Sequence, residues 1–430
     1  MKIPKAFREF KKQQSTSLKA LAVVSATAIL GLLTIVATKA AVFNIPAEAE
    51  QGAIAGTASQ STDPKASGGK AVKFGSIPTG NVPFAVTPVV GGLDTPWSIA
   101  FTSPTRFLVS ERPGRIRIVE NGQLKPNSLT TVPTIEVDNG ESGLMGIAVD
   151  PNYATNKFVY ACYTYESGQG ADGVSARVIK FTDNGTTAGT QQEILNISNS
   201  YWHAGCRLAF GPDKFLYVTN GDSNEPDKAQ DDDALNGKIL RINTDGSAAA
   251  GNPIAGNPMY SKGHRNPQGI SWQPGTNQLF NSEHGPSATG DGVLSRSGGD
   301  EINRVVPGGN YGWPLISHDE TRTGMILSVA MYDPAIAPSG ILFYSGSLLP
   351  QFYGKLLVAA LGGEALHVLT FDSANPAVVS NRDTVDEVNI GRVREVTQAP
   401  DGSIYITSSN KDGRGSPSGN DDQVYRLAPR

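Results

Sequence analysis

The chain of 430 residues is 39% hydrophobic and 18% charged, with 48 glycines and a formal net charge of −4. Its length suits one large closed domain, and its glycine content is typical of β proteins rich in turns. The slight acidity argues against a nucleic-acid-binding surface, which would be strongly basic.

The first 49 residues are predicted to direct export. A basic flank over residues 1–14 precedes residues 20–38, a stretch of nineteen residues without a charge. This length is long for a signal-peptide core and just enough to span a bilayer. A cleaved signal peptide and an uncleaved anchor both place the rest of the chain outside the cytoplasm, whether periplasmic, secreted or held at the outer face of the membrane. Residues 50–81, rich in Ala, Gly, Ser and Thr, are typical of a flexible linker.

A repeated pattern of short strands fills residues 82–430, which we take as one domain. Each repeat predicts three strands of about 5–7 residues bounded by Gly, Pro, Asn or Asp, and leaves room for a fourth strand. The repeats open at residues 96, 143, 206, 267, 339 and 393. They predict an all-β, six-bladed β-propeller, whose radial closure protects the strand edges. A sandwich with a second domain is the weaker alternative, because the repeats are alike and evenly spaced.

The two cysteines, Cys162 and Cys206, fall in strands of neighbouring repeats. An exported protein permits a disulfide between them. Two small buried apolar side chains are the other interpretation, and the sequence leaves both open. Two cysteines alone cannot form a zinc site.

The segment from His203 to Asp222 predicts a β-hairpin with polar residues at both ends. His203 is the best candidate general base, since imidazole accepts a proton near neutral pH. Asp222, at the far end of the hairpin, can orient it. Arg265, in the segment GHRNPQG, offers a planar cation that can polarise a carbonyl or bind a carboxylate. A base with an electrophilic clamp indicates hydride or proton transfer.

Other motifs narrow the chemistry. The chain has no G-x-S-x-G nucleophile elbow and no strand-linked G-x-G-x-x-G, which argues against a serine hydrolase and a Rossmann dinucleotide site. The Gly285-Pro286 turn can offer backbone carbonyls to Ca²⁺, with Asp300 and Glu301 downstream. The acidic run over residues 231–233 is better explained as a solvated loop.

Several motifs together resemble the soluble quinoprotein glucose/sorbosone dehydrogenase family, in its branch of PQQ-dependent aldose sugar dehydrogenases. The resemblance covers about residues 90–429 and implies a six-bladed propeller that binds PQQ and calcium. The motifs that carry it are HAGCRLAFGPDKFLYVTNGD, LNGKILRIN, GHRNPQG, SEHGP, GGDEIN and GGNYGWP.

The resemblance also implies a role for each matching residue. His203 takes the proton of the sugar C1 hydroxyl as hydride passes to the quinone, Asp222 orients it, and Arg265 polarises the quinone carbonyl. The calcium that bridges protein and PQQ is bound by the carbonyls of Gly285 and Pro286. The further cofactor contacts implied are Glu141, Asn266, His284, Arg392 and Arg394, and the residues near a second, structural calcium are Asp300, Glu301 and Tyr311.

One departure concerns the fifth repeat, where the family often has a basic residue that contacts PQQ. Gly362 takes that place here, and the loss of one cation should weaken binding of a tricarboxylate. The leading hypothesis is an exported, PQQ- and calcium-dependent aldose dehydrogenase that forms a lactone and passes electrons to an external acceptor. The alternatives are a non-catalytic binding propeller that has lost PQQ and a metal-dependent lactonase.

Overall fold

The computed structural model describes residues 58–62, 70–74, 79–137, 140–170, 172–286 and 298–430. The signal peptide or anchor predicted over residues 1–49 lies outside the described residues. Within the described part of the chain, no helix is both long and apolar enough to cross a membrane.

Two compact units divide the chain, Met1–Ser76 and Ile77–Arg430. In the first unit, strands β1 (Ala58–Thr62) and β2 (Lys70–Phe74) pair antiparallel. This hairpin lies within the segment that the composition predicts to be a linker.

The second unit begins with β3 (Phe84–Val90), after which the strands follow in groups of three to five. The first three groups are β4 (Pro96–Ser103), β5 (Arg106–Glu111), β6 (Arg115–Glu120), β7 (Gln123–Leu124) and β8 (Thr130–Thr131); β9 (Leu144–Val149), β10 (Phe158–Glu166), β11 (Val174–Thr182) and β12 (Gln192–Asn199); and β13 (Leu208–Phe210), β14 (Leu216–Asn220), β15 (Lys238–Ile242) and β16 (Met259–Lys262).

The remaining groups complete the set. They are β17 (Pro267–Trp272), β18 (Leu279–Glu283), β19 (Asp300–Val305) and β20 (Ala330–Tyr332); β21 (Pro338–Phe343), β22 (Leu356–Ala360), β23 (Ala365–Phe371) and β24 (Val379–Thr384); and β25 (Val393–Gln398), β26 (Ile404–Ser408) and β27 (Val424–Pro429). The helical turns in the described chain are α1 (Tyr153–Asn156) and the 3₁₀ turns Pro226–Ala229 and Pro350–Phe352.

Each group forms one antiparallel blade of a six-bladed propeller, numbered here in chain order from β4. The first strand of every blade contacts the first strands of both neighbouring blades, and the sixth blade contacts the first, so the ring is closed. The strands predicted in the six repeats form the first three strands of the six blades, which confirms the predicted fold.

The fourth strand of the sixth blade comes from the other end of the chain. Strand β3 pairs antiparallel with β27, with Phe84 opposite Pro429 and Val90 opposite Val424. The repeats did not predict this partner, because the two strands are more than 300 residues apart. The pairing joins the first and last strands of the propeller and so holds the ring shut.

Apolar side chains fill the spaces between adjacent blades. All five residues of β14, β15 and β22 are buried, because each of these sheets is covered on both faces. Each large apolar side chain buried in this way contributes about 1.5–3 kcal/mol to stability. Closure of the ring thus supplies each blade with the partner faces that it lacks alone.

Cys162 and Cys206 form a disulfide, with their Cα atoms 5.6 Å apart. Cys162 lies in the second strand of blade two, and Cys206 lies just before the first strand of blade three. The bond therefore joins two neighbouring blades, three residues after His203. It decides the question that the sequence left open in favour of the disulfide.

Candidate active site

One end of the central channel, called the mouth here, gathers most of the predicted site residues. Its loops precede the first strand of each blade or follow the second strand. Chain direction therefore brings segments of different blades to the same end. The predicted residues in these loops or at the adjoining strand ends are Glu141, His203, Asp222, Arg265, Asn266, His284, Gly285, Pro286, Asp300, Arg392 and Arg394.

His203 and Asp222 meet at the mouth as predicted from the hairpin. His203 Nδ1 lies 2.7 Å from Asp222 Oδ1, and both residues are buried. With the proton on Nδ1, which is donated to this carboxylate, Nε2 has a free lone pair and can accept a proton. The backbone of His203 is held at φ 54°, a conformation that is uncommon outside glycine and is often found at functional sites.

Trp313 supports both Asp222 and Arg265. Its indole Nε1 donates to Asp222 Oδ2 at 2.7 Å, and its ring lies 5.5 Å from the Arg265 guanidinium carbon. The backbone amide of Asp222 also donates to the carbonyl of Arg265 at 2.7 Å. Arg265 Nη1 in turn donates to the carbonyl of His284 at 3.1 Å. The predicted base, its orienting acid and the predicted cation are thus one connected group.

Glu141 connects three blades at the mouth. Its Oε2 accepts the backbone amide of His203 at 3.1 Å and the side-chain amide of Asn266 at 2.8 Å. Burial alone would raise the pKa of this carboxyl, but the neighbouring His203, His284 and Arg414 and the Asn266 hydrogen bond outweigh it and lower the pKa. Glu141 is therefore an anion at neutral pH beside the candidate base.

A small depression at the mouth, called the arginine pocket here, lies among loops of several blades. Four guanidinium groups and two carboxylates line it. They belong to Arg112, Arg392, Arg394, Arg414, Glu141 and Asp412, with Asn266, Gln268 and His284 among the other lining residues. The excess of cations favours an anionic ligand.

The buried arginines of the pocket differ in their partners. Arg392 forms an ion pair with Asp412, from both Nε and Nη2 at 2.9 Å. Arg394 Nη1 donates only to neutral oxygens, Gln268 Oε1 at 3.2 Å and Ser339 Oγ at 3.3 Å, and its buried Nε has no hydrogen-bond partner. Burial lowers the pKa of Arg394 to about 9. A buried cation with neutral partners favours an anionic ligand.

His284 is fixed at the edge of the pocket by Asp300. The carboxylate of Asp300 accepts His284 Nδ1 and the Gly285 amide at 2.8 Å through one oxygen, and the amides of Ile336 and Ala337 at 2.7 Å through the other. Burial opposes ionisation of Asp300, but these donors, led by His284, lower its pKa. Asp300 therefore joins the mouth loops of blades four and five.

The other predicted metal ligands are less closely grouped. The carbonyl of Pro286 accepts the amide of Gly298 at 3.0 Å. Burial, reinforced by the charge of Glu283, raises the pKa of Glu301 to about 8. The Tyr311 hydroxyl donates to the Arg304 carbonyl at 2.5 Å, and its ring stacks on His264. No set of three or more acidic, His or Cys side chains able to bind a metal occurs in the described residues, and the second calcium site stays a prediction.

Sequence reasoning missed several residues of the mouth. The role of Trp313 was not predicted, although it lies in the quoted motif GGNYGWP. Arg112 and Arg414 lie outside the recognised motifs. Each lines the pocket because of where its loop lies in the folded chain. A larger cavity lies at the opposite end of blades one and two, where Arg106, Asp183 and Tyr153 hydrogen-bond to one another.

The chain is similar in sequence and fold to known proteins. The chain is 32% identical over 367 residues to an uncharacterized protein of Synechocystis sp., covering 76% of this chain and 84% of the relative. It is 29% identical over 363 residues to aldose sugar dehydrogenase YliI of Escherichia coli, covering 79% and 91%. Among solved structures, the PQQ-bound form of aldose sugar dehydrogenase from Streptomyces coelicolor is 33% identical, with a TM-score of 0.69, and covers 82% of this chain and 100% of that chain.

The family model described as Glucose / Sorbosone dehydrogenase matches residues 93–416. The match includes every predicted site residue and strands of all six blades, and only β3 and β27 of the sixth blade lie outside it. The resemblance seen in the motifs is confirmed, and the chain belongs to the glucose/sorbosone dehydrogenase family.

Proposed function

We propose that this protein is a PQQ- and calcium-dependent aldose dehydrogenase, which oxidises the anomeric carbon of a sugar to a lactone. The observation that carries the proposal is the His203–Asp222 pair beside a pocket rich in arginine. The pair can remove a proton, and the pocket can hold an anionic cofactor. A propeller that only binds sugar would not need a general base next to an anion-binding pocket.

The residues present fit PQQ, which carries three carboxylates. The pocket has four guanidinium groups, and the partnerless Nε of Arg394 is buried in its wall. A carboxylate can take up such donors through charge-assisted hydrogen bonds. The residues proposed to contact the cofactor are Glu141, His203, Arg265, Asn266, His284, Arg392 and Arg394.

When bound, PQQ supplies the quinone that accepts hydride from the sugar C1. His203 Nε2 takes the proton of the C1 hydroxyl, so the sugar loses two electrons and two hydrogens and its C1–O bond becomes a carbonyl. Asp222 holds Nδ1 protonated, stabilises the imidazolium that forms and keeps the ring in place. Arg265 keeps a positive charge beside the reacting groups, where Trp313 holds it.

Calcium is proposed to bind at the carbonyls of Gly285 and Pro286, since hard oxygen atoms are its preferred ligands. The Pro286 carbonyl accepts one hydrogen bond, and a carbonyl oxygen has a second lone pair. Asp300 holds the turn through the Gly285 amide, which donates to its carboxylate. The Asp300 carboxylate is thus proposed to hold the calcium-binding turn in place.

We also propose that the protein acts outside the cytoplasm. The Cys162–Cys206 disulfide supports this, because such bonds persist in oxidising compartments. The electrons are proposed to pass to an external acceptor at the open mouth.

Reconstitution tests the proposal. Purified protein is incubated with PQQ and Ca²⁺, and reduction of a dye is followed with a panel of aldoses. Sugar-dependent reduction that needs both additions is the expected result. PQQ binding without turnover would contradict the dehydrogenase, and absence of PQQ binding would favour the non-catalytic propeller.

A further inference from the structure

Among the described residues that line the arginine pocket, none from the fifth blade is a cation. The mouth loop after its second strand contains Leu361 and Gly362. The Leu361 carbonyl already accepts Arg392 Nη1 at 3.1 Å. A Cβ atom at Gly362 would lie 3.3 Å from Ala337 and Ile336, so a longer side chain there requires its neighbours to move. An anion in the pocket must therefore be neutralised from other blades.

Two further arginines, from blades one and six, line the pocket. Arg112 follows the second strand of blade one, and Arg414 follows the second strand of blade six. Their loops are adjacent because the ring closes between these two blades. Both side chains line the pocket together with Arg392 and Arg394.

The charges near Arg112 and Arg414 leave the pocket positive. Arg112 Nε donates to the Ser142 carbonyl at 3.1 Å and forms an ion pair of 3.7 Å with the exposed Glu136. Arg414 is exposed at the rim, and its charge helps to lower the pKa of Glu141. Of the two carboxylates in the pocket, Asp412 is committed to Arg392. The lining of the pocket therefore holds more guanidinium groups than carboxylates.

We propose that Arg112 and Arg414 bind the carboxylates of the anionic cofactor and replace the cation that blade five lacks. The inference rests on the proposed function. On this proposal, blades one and six supply the arginines that bind a polycarboxylate. A guanidinium can meet a carboxylate through two parallel hydrogen bonds, which a single ammonium cannot.

Direct binding tests the inference without turnover. The apo protein is titrated with PQQ by absorbance and calorimetry, and the variants are Arg112→Gln and Arg414→Gln. Each is expected to raise the dissociation constant about tenfold, as for loss of a charge-assisted hydrogen bond. The matched control is Arg426→Gln, in blade six at the end away from the mouth, where Arg426 pairs with Asp401 at 2.8 Å. It should bind PQQ like the unaltered protein.

The trimethyl ester of PQQ separates charge from shape. The unaltered protein should prefer PQQ to this ester, and both variants should lose about tenfold of that preference. Because Arg414 is exposed, its variant should fold normally, which circular dichroism checks. Equal weakening of PQQ and ester, or unchanged PQQ binding in both variants, would overturn the inference and leave the dehydrogenase standing. No PQQ binding by the unaltered protein would overturn both.

Discussion

Trp313 of blade four holds the acid that orients the candidate base of blade three, through an indole hydrogen bond of 2.7 Å to Asp222. The two side chains are 91 residues apart in the chain. Each Asp222 oxygen therefore has its own side-chain donor, His203 on one and Trp313 on the other. The base is aligned by packing between blades as well as by its own hairpin.

Replacing Trp313 with Phe keeps an aromatic ring and removes the donor. Loss of one hydrogen bond of about 1.5 kcal/mol to a charged group should lower kcat about tenfold and leave KM nearly unchanged. Steady-state kinetics with the reconstituted enzyme measures this. Trp272→Phe, which alters a ring packed on Tyr217 in the wall between blades, is the control. An equal loss in both variants would indicate general destabilisation.

Replacing His203 with Ala should lower turnover by about 10²–10⁴-fold, the usual contribution of a general base. PQQ should still bind, because the arginine pocket is unchanged. Single-turnover kinetics and cofactor absorbance together measure the two effects. His367→Ala, in the third strand of blade five, should retain full activity. Unchanged turnover in the His203 variant would remove this residue from the role of base.

Changing both Cys162 and Cys206 to Ala should lower the free energy of unfolding. The disulfide closes a loop of 44 residues, for which chain entropy predicts a loss of about 4 kcal/mol. Urea denaturation of the variant and the unaltered protein measures the difference. Activity should fall more steeply with temperature in the variant, since Cys206 is close to His203. Matching urea midpoints would show that blade packing alone holds these strands.

The hairpin and the repeats predicted much of this structure, because their signals are local. Alternating apolar runs and turns reveal the first three strands of each blade, and His203 and Asp222 lie at the two ends of one hairpin. Strand β3 and Arg112 could not be found in this way. Strand β3 and Arg112 acquire their roles only because closure of the ring brings blade six next to blade one. The same holds for Trp313, whose motif was recognised but whose contact with Asp222 joins blade four to blade three.

The ionised state of Glu141 predicts a pH dependence of stability. Its folded pKa is lowered, so in acid the unfolded carboxyl takes up a proton before the folded one. The stabilisation is present above the ordinary carboxyl range, about pH 4.5, and is lost as the pH falls through the folded pKa. Glu141→Gln should therefore lose less stability than the unaltered protein between about pH 5 and 3. Urea midpoints across this range measure it, with Glu166→Gln, at an exposed strand end, as control.

Removal of β3 should destabilise the whole propeller. A chain that starts at residue 92 lacks the partner of β27 and the buried ring of Phe84. Loss of that ring alone costs about 1.5–3 kcal/mol, and the exposed edge of β27 favours aggregation. A chain that starts at residue 82 should behave like the full propeller. Equal solubility and equal denaturation midpoints for the two chains would show that β3 is dispensable.

The pairing of β3 with β27 also determines where the two ends of the propeller domain lie, and so where another molecule can be joined to it. Strand β27 starts at the mouth and ends at the far side, so Phe84 and Pro429 meet at the end away from His203. The amide of Arg430 donates to the Pro83 carbonyl at 3.1 Å. Both ends of the domain thus emerge side by side at its base. A fusion partner, electrode or surface joined at either end would leave the opening free for sugar and electron acceptor.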